Sequence, residues 1–127
     1  MKPQVAVIVS GFPRRSETFM LGELLALEAS GALAAVFATK LGETGPAQPG
    51  TERLTKYVEF LPDGPIEEQA RAVRVMLARR KINGIHAYFA HRPAEVAQQA
   101  AQMSGVPFGF SKRLHQENAF VRKNSTP

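Results

Sequence analysis

The chain has 127 residues, of which 44% are hydrophobic and 21% charged, and a formal net charge of +5. This balance is typical of one globular domain and excludes an intrinsically disordered chain. The absence of cysteine excludes disulfides, thiolate metal sites and cysteine nucleophiles.

The positive charge lies mainly at the end of the chain. Residues 112–127 hold four basic side chains and one acidic one, whereas the preceding residues are close to neutral. Such a tail is typical of a solvated terminus, and no aromatic RNA-binding signature or helix-turn-helix accompanies it, so we predict no nucleic-acid partner. No stretch approaches the roughly 18 apolar residues of a membrane span. The first apolar run lacks the pattern of a secretory signal, and we therefore expect a cytoplasmic domain.

The first predicted element is a strand over residues 5–9, a β-branched apolar run of the kind that is buried on both faces of a sheet. Gly11 and Pro13 are expected to end it. A helix then follows, with Ser16 as its N-cap and Glu17 adding negative charge to its first turn. Its predicted apolar face consists of Met20, Leu24 and Leu27.

This order places the loop from Gly11 to Ser16 at the carboxyl end of the first strand, below a helix N-terminus. Ligands of α/β sheets tend to bind there. Gly11 has two interpretations: it allows the backbone to approach a phosphate or sugar closely, or it supplies a positive φ to a tight turn.

The next part of the chain alternates strands with loops. Gly31 is expected to end the first helix, and residues 33–39 are predicted to form a second buried strand. Residues 40–56 are rich in glycine and proline and predict a long loop. A short strand over residues 57–61 and a turn over residues 62–65 follow.

The second half is predicted to be helix, strand, helix, strand. A helix from Pro65 to about Lys81 has an apolar face of Ile66, Ala70, Val73 and Leu77. The basic residues 79–81 at its end suit the helix dipole better than a phosphate site. A strand over residues 85–90 precedes a helix from Pro93, which Gly105 ends. The apolar stripe of that helix is predicted to be Val96, Ala100 and Met103.

A last strand is predicted over residues 106–111, with Pro107 at its first position, where no ladder amide is required. The alternation of strands and helices predicts an α/β domain of three layers with a mainly parallel sheet. After Ser111 the apolar periodicity ends. We therefore expect one domain over residues 1–111, and a basic, poorly ordered tail over residues 112–127 that has no element of its own.

Three blocks of residues, in order, carry a resemblance to a known family. The first is Gly-Phe-Pro at 11–13, then Ser-Glu-Thr-Phe at 16–19 and Glu23; the second is His-Ala-Tyr-Phe-Ala at 86–90 with Pro-Ala-Glu-Val-Ala at 93–97; the third is Gly-Val-Pro-Phe-Gly-Phe-Ser at 105–111. Together, over about residues 4–111, they resemble the N-terminal part of bacterial family 4 glycosyltransferases, which build exopolysaccharide and related glycans.

The resemblance implies a GT-B enzyme with two Rossmann-like domains facing a cleft. Such enzymes transfer a sugar from a nucleotide-sugar to a glycan or lipid-linked acceptor with retention, without a bound metal or other cofactor. Only the acceptor-side half is represented, because these residues do not resemble the family's donor domain, which carries its Glu-x(7)-Glu-type motif. We therefore expect this chain alone to be inactive, and leave open an association with the inner membrane face.

One departure from the family lies after Ser111. Family members continue with a His-Ala-x-Asp-like segment whose histidine faces the donor sugar, whereas this chain has Lys-Arg-Leu-His-Gln-Glu over residues 112–117. His115 is the one candidate for that catalytic histidine, although it is out of register. A truncated or frameshifted reading frame would explain the loss of similarity and of periodicity together.

The candidate site residues divide into a loop and a sheet edge. The candidate ligand-binding loop comprises Gly11, Phe12, Pro13, Arg14, Arg15, Ser16, Glu17 and Thr18. Its arginines could pair with a phosphate or remain as solvated loop charge. His91 and Arg92 follow a strand and are expected at the edge of the cleft, whereas His86 is interpreted as a hydrogen-bonded core histidine.

The three histidines have no metal-ligand spacing, and no metal site is predicted. Two functions therefore remain: the N-terminal half of a glycosyltransferase, or a stand-alone Rossmann-like module that binds a nucleotide or phosphate without catalysis. A nonfunctional remnant of such a gene is a third possibility.

Overall fold

The computed structural model describes residues 4–12, 18–42, 49–88, 91–111 and 120–123. The elements are β1 (Val5–Phe12), α1 (Thr18–Ser30), β2 (Leu33–Leu41), α2 (Thr51–Leu54) with a 3₁₀ turn (Thr55–Tyr57), β3 (Val58–Phe60), α3 (Ile66–Arg79), β4 (Gly84–Tyr88), α4 (Arg92–Ser104), β5 (Phe108–Ser111) and β6 (Phe120–Lys123). They build a sheet of order β3-β2-β1-β4-β5-β6. Strands β1 to β5 pair in parallel, and β6 pairs with β5 antiparallel. The predicted α/β fold with a mainly parallel sheet is confirmed.

Helices cover both faces of this sheet because its central strands are apolar on both sides. In β1, Val7 and Val9 share a core with residues of α1 and α2, which we call the α1 core. Ala6 and Ile8 belong to a second core with α3 and α4, the α3 core. All four side chains are fully buried. The prediction that this run is buried on both faces is therefore confirmed, and the domain has three layers.

The predicted apolar faces of α1 and α3 are also confirmed. Met20 and Leu24 are buried in the α1 core, and Leu27 packs against it while partly exposed. On α3 the buried apolar residues are Ala70, Val73 and Leu77, with Ile66 packed at their edge. Because the residues at this spacing are buried on one side of each helix, they fix how the helix lies on the sheet.

The predicted stripe of α4 is wrong at one residue. Val96 and Ala100 are buried, but Met103 is 41% exposed. Ala97 and Ala101 are buried as well. The small side chains of Ala97 and Ala101 let the helix lie on the sheet along a stripe that these alanines form with Val96 and Ala100. Met103 lies to the side of that stripe.

Two predicted boundaries at the carboxyl ends of the strands are corrected. Strand β1 continues through Gly11, which pairs with Lys40 of β2, so Gly11 is not a turn residue and does not end the strand. The predicted loop over residues 40–56 is interrupted, since β2 extends to Leu41 and α2 begins at Thr51. The side chains of Thr51 and Leu54 are buried, which anchors this short helix on the α1 core.

The last two strands also differ from expectation. Pro107 precedes β5 instead of opening it, and its carbonyl accepts a hydrogen bond from the Ile85 amide at 3.0 Å. Strand β6 lies in the segment for which no element was predicted, and its partner is the edge strand β5. Residues 112–119 and 124–127 lie outside the described residues, so the poor order of the tail stays a prediction.

Glycine ends two of the helices as predicted. Gly31 follows α1 with a φ of 83°, and Gly105 caps α4 in the left-handed conformation with a φ of 72°. The Gly105 amide donates to the carbonyl of Ala101 at 2.8 Å, which satisfies a carbonyl of the last turn. These stops turn the chain back into β2 and toward β5.

Candidate functional site

The candidate site lies where β1 and β4 end side by side. These strands pair in parallel from Val5 opposite Gly84 to Ile8 opposite Ala87, so their carboxyl ends are at the same edge of the sheet. From β1 the chain crosses to β2 over one face, and from β4 it crosses to β5 over the other. The gap between them is the topological switch point, where α/β sheets usually bind ligands.

The helix that follows each of these two strands begins at this edge. Helix α1 starts at Thr18 after β1, and α4 starts at Arg92 after β4. The first amides of a helix have no partner within it, and the helix dipole is positive at that end. The edge is therefore suited to a negatively charged or strongly polar ligand.

The structure divides the predicted ligand-binding loop. Gly11 and Phe12 belong to β1, and the Phe12 side chain is 4% exposed, so it contributes to the α1 core. Thr18 is the first residue of α1. Pro13, Arg14, Arg15, Ser16 and Glu17 lie outside the described residues, as does His115.

His91 has an unusual backbone conformation at this edge. Its φ of 71° and ψ of −136° lie in a region that glycine adopts readily and that a residue with a Cβ rarely does. It is the N-cap position of α4, and its carbonyl accepts the first helical hydrogen bond, from the Glu95 amide at 3.0 Å. The imidazole is exposed and makes no capping hydrogen bond. Such strain is concentrated at functional sites in proteins.

Arg92 is held by other residues at this edge of the sheet. Its Nη1 donates to the carbonyl of Gly64 at 2.9 Å and to Oε1 of Gln69 at 3.2 Å. These contacts tie the start of α4 to the start of α3. One edge of the guanidinium is thus committed to the protein, and the side chain remains exposed at the edge of the site.

Gln69 organises the loops at this edge and was not predicted. It is 1% exposed, and its Nε2 donates to the carbonyls of Thr39 at 3.0 Å and Pro62 at 2.9 Å. With Arg92 it therefore joins the ends of β2, β3 and the starts of α3 and α4. The sequence carries a signal for it: residue 69 lies three after Ile66 and four before Val73, on the apolar face of the helix, where a polar side chain needs partners.

A side-chain hydrogen bond joins the first and second motif blocks. The hydroxyl of Tyr88, at the end of β4, donates to Oε1 of Glu23 on α1. Tyr88 is 1% exposed. Burial, and then the hydrogen bond and charge of Glu23, raise the pKa of the Tyr88 hydroxyl, which stays protonated. The contact holds the first turns of α1 over the carboxyl end of β4.

His86 lies two residues before Tyr88 on the same strand. The two rings meet edge to face, with centroids 4.8 Å apart and planes at 68°. Burial lowers the pKa of His86 from 6.5 to about 4, so the imidazole is neutral at pH 7. Its place in a central strand is as predicted, and it interacts with other residues of the fold.

The described part of the chain offers no group of three histidine or acidic side chains that could hold a metal ion. Among the helices described, none has the length and apolar character needed to cross a membrane. Comparison with protein-family models, with curated proteins and with solved structures found no match to this chain. The site is therefore interpreted from its own residues and from the motif blocks.

Proposed function

We propose that this chain is the N-terminal, acceptor-side domain of a retaining GT-B glycosyltransferase similar to family 4. The carboxyl edge of the sheet would form one wall of the cleft. The observation that carries the proposal is the hydrogen bond from Tyr88 to Glu23. It connects the first and second motif blocks, which are 65 residues apart in sequence, directly beside the switch point.

In this proposal the chain binds and orients, and contributes little to the chemistry. The amides at the starts of α1 and α4 would face the acceptor and the diphosphate of the nucleotide-sugar. Stabilising the departing nucleotide diphosphate would fall mainly to a donor-binding domain outside these residues. Arg92 is held at the edge by Gly64 and Gln69, where its remaining donors can approach an anion.

The test is a titration of the isotope-labelled chain with UDP and with GDP, followed by amide NMR. We expect shifts confined to the carboxyl edge, including Gly11 and Arg92, with weak binding of about 1 mM or poorer. We also expect no sugar transfer from UDP-glucose or GDP-mannose by the chain alone. Arg92→Glu should weaken the response, whereas Arg71→Glu, the same charge change on the exposed face of α3, should leave it unchanged.

Three results would contradict the proposal. Amide chemical-shift changes at the opposite edge of the sheet would place the ligand site there. Sugar transfer by the chain alone would show that catalysis needs no second domain. Micromolar affinity for a nucleoside diphosphate at the carboxyl edge would instead support a stand-alone nucleotide-binding module, for which the two helix starts at the switch point are the favouring observation.

A further inference from the structure

A groove on the outer side of α3 lies at the opposite end of the sheet from the candidate site. One part, of about 280 Å³, is lined by Arg74, Val75, Ala78 and Arg79. An adjoining part, of about 170 Å³, is lined by Arg74, Leu77, Ala78, Ile82, Ser104 and Val106. Because the two parts share Arg74 and Ala78, they form one surface feature, which we call the α3 groove.

The floor of the α3 groove is apolar and open to solvent. Val75 is 47% exposed, one of few large hydrophobic side chains of the described residues with so much free surface. Ala78 is also exposed, and its short side chain leaves the depression between its neighbours. Apolar surface in a concave place gains free energy when another apolar group covers it.

The rim of the α3 groove is basic. From Arg74 to Lys81 the chain has four basic residues and no acidic one, while the acidic residues of α3 are in its first turn. Arg80 pairs with Glu59, but neither Arg74 nor Arg79 has a carboxylate partner in the described part of the chain. Arg79 suits the negative end of the helix dipole, whereas Arg74 lies more than a turn earlier and gains little there.

The groove also contains a buried polar atom without a partner. The Oγ of Ser104, in the last turn of α4, is inaccessible and has no hydrogen bond within the described residues. Because this oxygen is inaccessible, a ligand on the surface of the groove does not reach it.

We propose that the α3 groove binds an acidic peptide segment of a partner protein. An apolar side chain of the segment would cover Val75 and Ala78, and flanking carboxylates would pair with Arg74 and Arg79. The charge of the rim and the apolar floor are complementary to such a segment. The proposal does not depend on the proposed function, since the two sites lie at opposite ends of the strands.

The other occupants fit these observations less well. A drug-sized ligand usually binds in an enclosed pocket that buries most of its surface, whereas the floor of the α3 groove is open to solvent. Two copies of the chain meeting through this face would bring the arginine rims together, which like-charge repulsion opposes. A flat anionic membrane would contact the rim but leave the concave apolar floor uncovered.

The test uses the full chain and a fluorescein-labelled peptide, Asp-Glu-Glu-Leu-Glu-Asp-Leu-Glu-Glu-Gly, followed by fluorescence polarisation. We expect saturable binding, and a loss of affinity of about tenfold or more for Arg74→Glu. Arg71→Glu, the same charge change at a position of α3 that does not line the groove, should cost clearly less, no more than about threefold, because Arg71 makes no direct pair with the peptide. Ala78→Gln, which places a longer polar side chain on the floor while preserving the helix, should weaken binding about fivefold or more.

A control peptide with both leucines replaced by serine should bind at least about fivefold more weakly. Equal affinity for the two peptides, or equal losses in Arg74→Glu and Arg71→Glu, would reduce the binding to general charge attraction and overturn the proposal. Binding to phosphatidylglycerol vesicles without binding to the peptide would overturn it in favour of a membrane surface.

Discussion

Among the residues that the structure describes, His91 is the one whose backbone departs most clearly from what its side chain favours. Its φ of 71° with a ψ of −136° is costly for a residue with a Cβ, by about 1–3 kcal/mol. His91→Gly should therefore raise the free energy of unfolding by about 1 kcal/mol, after allowance for the added freedom of glycine in the unfolded chain. His91→Ala keeps the Cβ and should bring no gain. Urea unfolding at neutral pH measures both, and a glycine variant no more stable than the alanine variant would contradict the strain.

His86 should make the stability of the fold depend on pH. Burial lowers its pKa from 6.5 to about 4, so between these values the unfolded chain binds the proton more readily than the folded chain. The stabilising effect of the neutral imidazole is complete above pH 6.5 and is lost as the pH falls through these values, by about 3 kcal/mol in total.

The comparison that isolates this effect is His86→Gln against the unchanged chain. Both proteins contain the same carboxylates, so the difference between their urea-unfolding profiles from pH 7 to pH 4 belongs to His86. We expect the variant to lose less stability over that range. Parallel profiles would show that the folded and unfolded chains protonate His86 alike.

Among the elements, the loops at the carboxyl edge depend on one amide side chain. Gln69→Met, of similar shape, would leave the carbonyls of Thr39 and Pro62 without their Gln69 donor and would remove one of the two acceptors of Arg92. We expect a loss of about 2–4 kcal/mol in the free energy of unfolding. Gln98→Met, the same change at an exposed position of α4, should stay within about 0.5 kcal/mol. Similar small effects in both variants would mean that water replaces the Gln69 contacts.

The same elements show how far the sequence predicts this fold. Strands β1 and β2 could be predicted because each buries a continuous apolar run. Helices α1 and α3 could be predicted because their apolar residues repeat every three or four positions. The extension of β1 through Gly11 could not be predicted, because it depends on pairing with Lys40. Helix α2 could not be predicted either, because it depends on packing against the α1 core. Strand β6 likewise depends on a partner, the edge of β5.

The position of the candidate site could be predicted from the sequence, but the hydrogen bonds of Gln69 and Tyr88 could not. A parallel sheet brings the loops after its strands to one edge, so the neighbourhood of His91 and Arg92 follows from strand order alone. The hydrogen-bond partners of Gln69 could not be predicted, because they are backbone carbonyls, which every residue has. The contact between Tyr88 and Glu23 joins residues that no local pattern relates.

At the scale of the whole molecule, the two cores should unfold together. Strand β1 places Val7 in the α1 core and Ile8 in the α3 core, and β2 alternates in the same way, with Val36 in the first and Phe37 in the second. A residue cannot leave one core without moving the strand that builds the other. Loss of either core therefore removes the support of both faces of the sheet.

Ile8→Val tests this coupling, because it removes one methylene from the α3 core and should cost about 0.5–1.5 kcal/mol. The chain has two tyrosines and no tryptophan, and both tyrosines pack in or against the α1 core, so their fluorescence reports that side alone. In urea unfolding, the fluorescence midpoint should fall by the same amount as the midpoint from far-UV circular dichroism. A fluorescence midpoint that stays in place while the dichroism midpoint falls would show that the two layers unfold separately.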